Sequence, residues 1–120
     1  MIDYLGTELL HAQPQATQAF LRHTSVLQRL SAPLCDAVTQ NHNSAEVLRQ
    51  LDRANLFVVP LDDRREWYRY HHLFGELLQH ELAAAEPELA PVLHRRASVW
   101  YRDSGFPEEA IHHAIAADDV

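Results

Sequence analysis

Apolar residues recur along most of the chain at intervals of three and four, the spacing that lines side chains along one face of an α-helix. Between Ile2 and His11 the apolar positions Tyr4, Leu5, Leu9 and Leu10 predict a lead-in helix that closes before Pro14. Pro14 suits the first turn of a second helix, on which Ala16, Ala19, Phe20, His23 and Leu27 share a face through to Leu30. Ser31 is an N-cap candidate for a short third helix that turns Leu34, Ala37 and Val38 inward. Asn43 with Glu46 three residues on has the pattern of a capping box, opening a fourth helix with Val47, Leu48, Leu51 and Ala54 on one face.

The period then changes. Phe57, Val58 and Val59 are strand formers stopped by Pro60, residues 61–65 form a charged turn, and the run from Glu66 to Tyr70 is aromatic, so a β-hairpin is expected. A lone hairpin is marginal in water, so Val58, Trp67 or Tyr68 should point into the preceding helices. Leu73, Phe74, Leu77, Leu78 and Leu82 return to helical spacing and predict a long helix closing near Glu86. Beyond Pro87, Leu89, Leu93, Ala97 and Trp100 mark a helix ending at Gly105, and Pro107 opens another whose buried face should be Ala110, Ile111, Ala114 and Ile115.

These elements predict a mainly α fold: a winged helix-turn-helix with a small β-hairpin, followed by a tetratricopeptide-like αα-hairpin. The expected division is a lead-in helix over 1–13, a winged-helix domain over 14–86, and over 87–120 the first hairpin of a truncated superhelical arm. An unfinished repeat face at the end of that arm offers a route to self-association.

Composition narrows the function. The formal net charge is −7, and all ten basic residues are arginine, so nothing favours contact with phosphate backbones or acidic membranes. The fourth helix offers only Arg49 and Arg53 against Glu46 and Asp52, and the hairpin loop sets Asp62 and Asp63 beside Arg64 and Arg65. Direct nucleic-acid binding is therefore not expected. No apolar run approaches the roughly 20 residues that span a bilayer. A single cysteine, Cys35, and the lack of a secretory pattern point to the cytoplasm, with Cys35 as a small core residue. Nine histidines invite a metal reading, but the adjacent pairs His71-His72 and His112-His113 diverge and no HExxH occurs. Arg95 and Arg96 read as a solvated face, and Trp100, Tyr101 and Phe106 as packing.

The phrases Ser31-Ala32-Pro33-Leu34-Cys35-Asp36, Arg53-Ala54-Asn55-Leu56-Phe57, Tyr68-Arg69-Tyr70-His71-His72-Leu73-Phe74 and Leu93-His94-Arg95-Arg96-Ala97 together resemble a stretch of the MalT-like ATP-binding transcriptional regulators with LuxR-type DNA-binding domains. The resemblance implies a STAND architecture, in which a nucleotide-binding domain precedes a winged helix and a superhelical sensor arm. This chain would cover the winged helix and the start of the arm, with the nucleotide-binding and sensor-arm domains of the parent chain as its partners. A Walker phosphate loop requires a lysine and the chain has none, so catalysis and a cofactor of its own are not expected; ATP or ADP would belong to the parent. In STAND proteins a histidine opening the last winged-helix segment touches the β-phosphate of ADP, and Tyr70-His71-His72-Leu73 is similar to that motif. His71 would be the phosphate sensor, with His72 as the substitute. The residues alone favour the plainer reading, in which His71 or His72 caps the helix or packs against Trp67.

Overall fold

The structure is a computed structural model that describes residues 2–55 and 57–118, with side chains described for 6–55 and 57–117. Tyr4 and Leu5 of the lead-in face, Leu56, and the last positions of the run from Ala116 to Val120 fall outside the described side chains. The described residues form seven helices and two strands: α1 (Ile2–His11), α2 (Gln15–His23), α3 (Ala32–Thr39), α4 (Ser44–Arg53), β1 (Val58–Pro60), β2 (Tyr68–Tyr70), α5 (His72–Ala85), α6 (Leu89–Asp103) and α7 (Pro107–Asp118). The mainly helical winged-helix fold is as expected. Among the described residues no helix is long and apolar enough to cross a membrane.

Four local forecasts need correction. The second helix stops at His23 instead of running to Leu30. Thr24 and Ser25 end it by donating their hydroxyls back to the carbonyls of Phe20 and Arg22, at 2.8 and 2.6 Å. The chain then extends, and Leu30 exchanges both backbone hydrogen bonds with Tyr68, at 2.7 and 2.8 Å. The capping box at Asn43 does not form: Asn43 sits at ψ 17 and makes no side-chain cap, while Glu46 bonds Arg49 and Gln50. The first amide of α4 is satisfied from outside, donating from Ser44 N–H to Asp36 Oδ1 at 3.1 Å. Ser31, by contrast, caps α3 as predicted, accepting from Leu34 N–H, with Pro33 in the first turn.

β1 stops at Pro60 as expected, with the proline itself as its last paired residue. β1 and β2 pair antiparallel with Val58 opposite Tyr70, Val59 opposite Arg69 and Pro60 opposite Tyr68. Phe57 accepts from His71 N–H and Leu61 donates to Trp67, so the bonded pairs flank Pro60 and its missing N–H costs the ladder nothing. Val58 and Tyr68 are buried against the helices, as the strand pattern required, but Trp67 turns toward α6 and α7.

The core runs from Leu10, Phe20 and Leu21 through Leu30, Leu34 and Cys35 to Leu78, Leu82 and Leu93. Within α5, Phe74, Leu78 and Leu82 are buried and Leu73 is exposed. Gly6 brings α1 close to α5, since a Cβ there would lie 3.0 Å from Leu77 Cδ2. Gly105, at φ +89, closes the turn between α6 and α7. Arg96, read as solvated, instead donates to Val38 O at 2.8 Å and ties α6 to the end of α3.

The α7 face is the fourth correction. Ala110, His113 and Ala117 are buried, whereas Ile111 and Ile115 are 59% and 64% exposed. Two overlapping helical faces compete in this sequence, and the one carrying His113 wins because its ring finds partners on α6.

Candidate functional site

The site begins where β2 gives way to α5. Tyr70 ends the strand facing inward, and its hydroxyl shares a buried hydrogen bond with Thr24 Oγ1. Burial holds the Tyr70 phenol well above its ordinary range, so it stays protonated. His71 follows as the N-cap residue of α5, at φ −54 and ψ 140, and its carbonyl accepts from Gly75 N–H at 2.8 Å. Its own N–H is spent on Phe57 O at 2.9 Å, which fixes the strand-to-helix corner.

The two candidate histidines differ in what they are free to do. His71 is exposed, and its ring has no hydrogen-bond or ionic partner among the described residues. His72 is 81% exposed and engages Glu76 one turn along α5 at 3.1 Å. Both line a polar groove of about 290 Å³ with Ser25, Gln28 and Gln79. The first amides of a helix have no intrahelical acceptors, so the amino end of α5 adds positive potential at this groove.

A second cluster escaped the sequence reading. His94 on α6 and His113 on α7 approach Nδ1 to Nδ1 at 2.9 Å, so one ring donates and the other accepts. His113 is buried and stacks on Tyr101, with His112 edge-on beside it. Desolvation, then the neighbouring His94 and His112, pulls His113 down to about 4; burial likewise lowers His94. The sequence reading placed the buried face of this helix on Ala110, Ile111, Ala114 and Ile115, and nothing in it singled out His113. Among the described residues no group of three or more His, Cys, Asp or Glu could hold a metal ion. Cys35 is fully buried, which raises its thiol far out of the reactive range.

Residues 6–90 match the family model of the MalT winged helix domain. The chain belongs to that family. It is 38% identical over 118 residues to the HTH-type transcriptional regulator MalT of Vibrio campbellii (strain ATCC BAA-1116). It is also 38% identical over 117 residues to the protein of the same name from Vibrio parahaemolyticus serotype O3:K6 (strain RIMD 2210633). Each alignment covers 98% of this chain but 13% of the relative, so the chain spans about an eighth of the length of these regulators. The match to the MalT winged helix domain runs from within α1 through α5, with the strand pair included, and reaches into the start of α6.

Within this MalT winged helix domain, the helix and loop that would meet DNA in a DNA-binding winged helix carry mixed charge. On α4, Arg49 pairs with Glu46 at 3.1 Å, and Asp52 of the same helix holds Arg65 of the hairpin loop at 2.6 Å. Asp62 folds that loop by accepting from the amides of Glu66 and Trp67.

Proposed function

We propose that this chain couples a nucleotide switch to a sensor arm inside a MalT-like, LuxR-type regulator of the STAND class, through contacts between domains and not through chemistry of its own. Its partners are the nucleotide-binding and sensor-arm domains of the parent chain, in the cytoplasm, and α6 with α7 forms the first tetratricopeptide-like unit of the arm. ATP or ADP is held by the parent, and this segment contributes a sensor of the bound phosphate.

The observation that carries the reading is the placement of His71 at the N-cap of α5, exposed and with a ring that has no partner among the described residues. An imidazole beside helix N-terminal amides is suited to an anionic phosphate. His72 is the weaker candidate, because the Glu76 carboxylate already occupies it and would repel phosphate. Contact between His71 and ADP would favour a closed, inactive state that inducer and ATP release. Direct DNA binding is not part of this role, since Arg49 and Arg65 are matched by acidic neighbours.

In the full-length parent, His71→Ala is expected to speed ADP release and raise transcription without inducer, while His72→Ala leaves both near the unsubstituted level. Unchanged ADP exchange and unchanged basal transcription in the His71 variant would refute the sensor role.

A second reading, a protein-binding helical adaptor, is favoured by the exposed Ile111 and Ile115 on α7. The two readings are compatible if that face receives another helix of the parent arm.

A further inference from the structure

Ser25, Leu27 and Gln28 line the histidine groove across from α5, and Arg29, the next residue, reaches the α6–α7 hairpin. The irregular segment over 24–30 therefore touches both ends of the proposed coupling. It is pinned on each side. Toward α5, Gln79 Nε2 donates to Ser25 O at 3.0 Å, and the Thr24 hydroxyl meets that of Tyr70, the residue before His71. At the far end Leu30 exchanges both backbone hydrogen bonds with Tyr68. Between these pins Gln28 and Arg29 make no backbone hydrogen bonds among the described residues, so the Arg29 side chain fixes where this stretch lies.

Arg29 is committed to the far side. Its guanidinium lies 4.2 Å from the Trp67 ring centroid and 5.4 Å from that of Phe106, and it pairs with Glu109 at 3.0 Å. Phe106 and Glu109 stand at the opening of α7. The other ties to the hairpin, Arg96 to Val38 O and the course of the chain out of α5, arrive on α6. Gln28 and Arg29 share a rigid peptide unit, so a ligand that moves the first moves the second, and a guanidinium held between rings and a carboxylate passes that motion on. We propose that residues 24–30 are the strap that carries occupancy of the histidine groove to the arm. A bound phosphate shifts Gln28 and the Ser25–Gln79 contact, and Arg29 delivers the shift to the start of α7. Arg29 is a positioning residue and touches no nucleotide. This role rests on the reading of His71 as a phosphate sensor, because it supplies the output of the same groove.

The mechanical link is measurable in this chain without nucleotide, by amide hydrogen exchange. Gln79→Ala releases the strap from α5 and should quicken exchange in α7 about threefold while α3 stays unchanged. In an Arg29→Ala background α7 already exchanges faster, and Gln79→Ala should add nothing further there. Glu109→Gln, at a partly exposed position, cuts the same link from the α7 side and should shrink the effect of Gln79→Ala, which keeps the test decisive if Arg29→Ala fails to fold. Unchanged α7 exchange in Gln79→Ala, the same quickening with the link intact and cut, or equal quickening in α3 overturns the strap. Lost coupling beside a parent regulator whose ADP release still responds to His71→Ala overturns the strap alone. Intact coupling beside unaltered ADP release in that variant overturns the sensor instead.

Discussion

Thr24 and Tyr70 meet hydroxyl to hydroxyl in the core, and they are not interchangeable partners. Thr24 also donates to Phe20 O at 2.8 Å, whereas Thr24 is the one partner of the Tyr70 hydroxyl among the described residues. Tyr70→Phe should therefore cost about 1 kcal/mol, while Thr24→Val strands a buried phenol and should cost about 1–3 kcal/mol. Urea unfolding of both variants decides it, and a larger loss for Tyr70→Phe would contradict the assignment. The His94–His113 pair makes a pH-dependent contribution. With the folded-state value of His113 lowered to about 4 from an ordinary 6.5, the unfolded chain takes up a proton that the folded chain refuses. Stability is full above pH 6.5 and falls as pH drops toward 4, by on the order of 2 kcal/mol for this ring. His113→Leu should flatten that slope relative to the unsubstituted chain, and an equal slope in both would assign the effect to other groups. His71 was legible because a strand pattern ends at it and a helical pattern begins. His113 was not, since burial of an imidazole depends on a ring that arrives from another helix.

Arg29 shows how one residue from an irregular segment binds separate elements. Its guanidinium lies 4.2 Å from the Trp67 ring centroid and 5.4 Å from that of Phe106, and pairs with Glu109 of α7 at 3.0 Å. Trp67 in turn packs edge-on to Trp100 and Phe106. The strand pair and the α6–α7 hairpin are thus joined through one cation and three aromatic rings. Arg29→Ala should destabilise the chain by about 1 kcal/mol, and amide exchange should quicken in α7 more than in α3 or α5. Uniform quickening across all three would show that Arg29 supports the core and not this junction. Helices that begin at a proline or a serine cap were placed well from sequence, because those signals are local. The early end of α2 was missed because the hydroxyls of Thr24 and Ser25 turn back on the helix, and the extended course that follows is held by Tyr68, far along the chain.

The exposed isoleucines on α7 concern the molecule as a unit. A chain spanning 13% of its relatives presents Ile111 and Ile115 on one stripe of its last helix, where the helical period alone predicted burial. Replacing both with Gln should change stability by less than about 0.5 kcal/mol and, where the unsubstituted chain self-associates in sedimentation experiments, lower that association. Undiminished association would place the contact elsewhere. The architecture as a whole was legible because the change from helical to alternating period and back is a property of the chain itself. How α6 packs was not, because Arg96 meets a backbone carbonyl that no pattern in α6 announces.

The bridge between Leu30 and Tyr68 also bears on what neighbouring molecules encounter. β2 is bonded on both flanks, by β1 on one side and by Leu30 on the other, so it has little left to offer a stranger. β1 is three residues long, and Pro60 removes a donor from its outward rim. Sheet growth by addition of foreign strands, the usual route from a bare rim to fibrils, finds almost no template here.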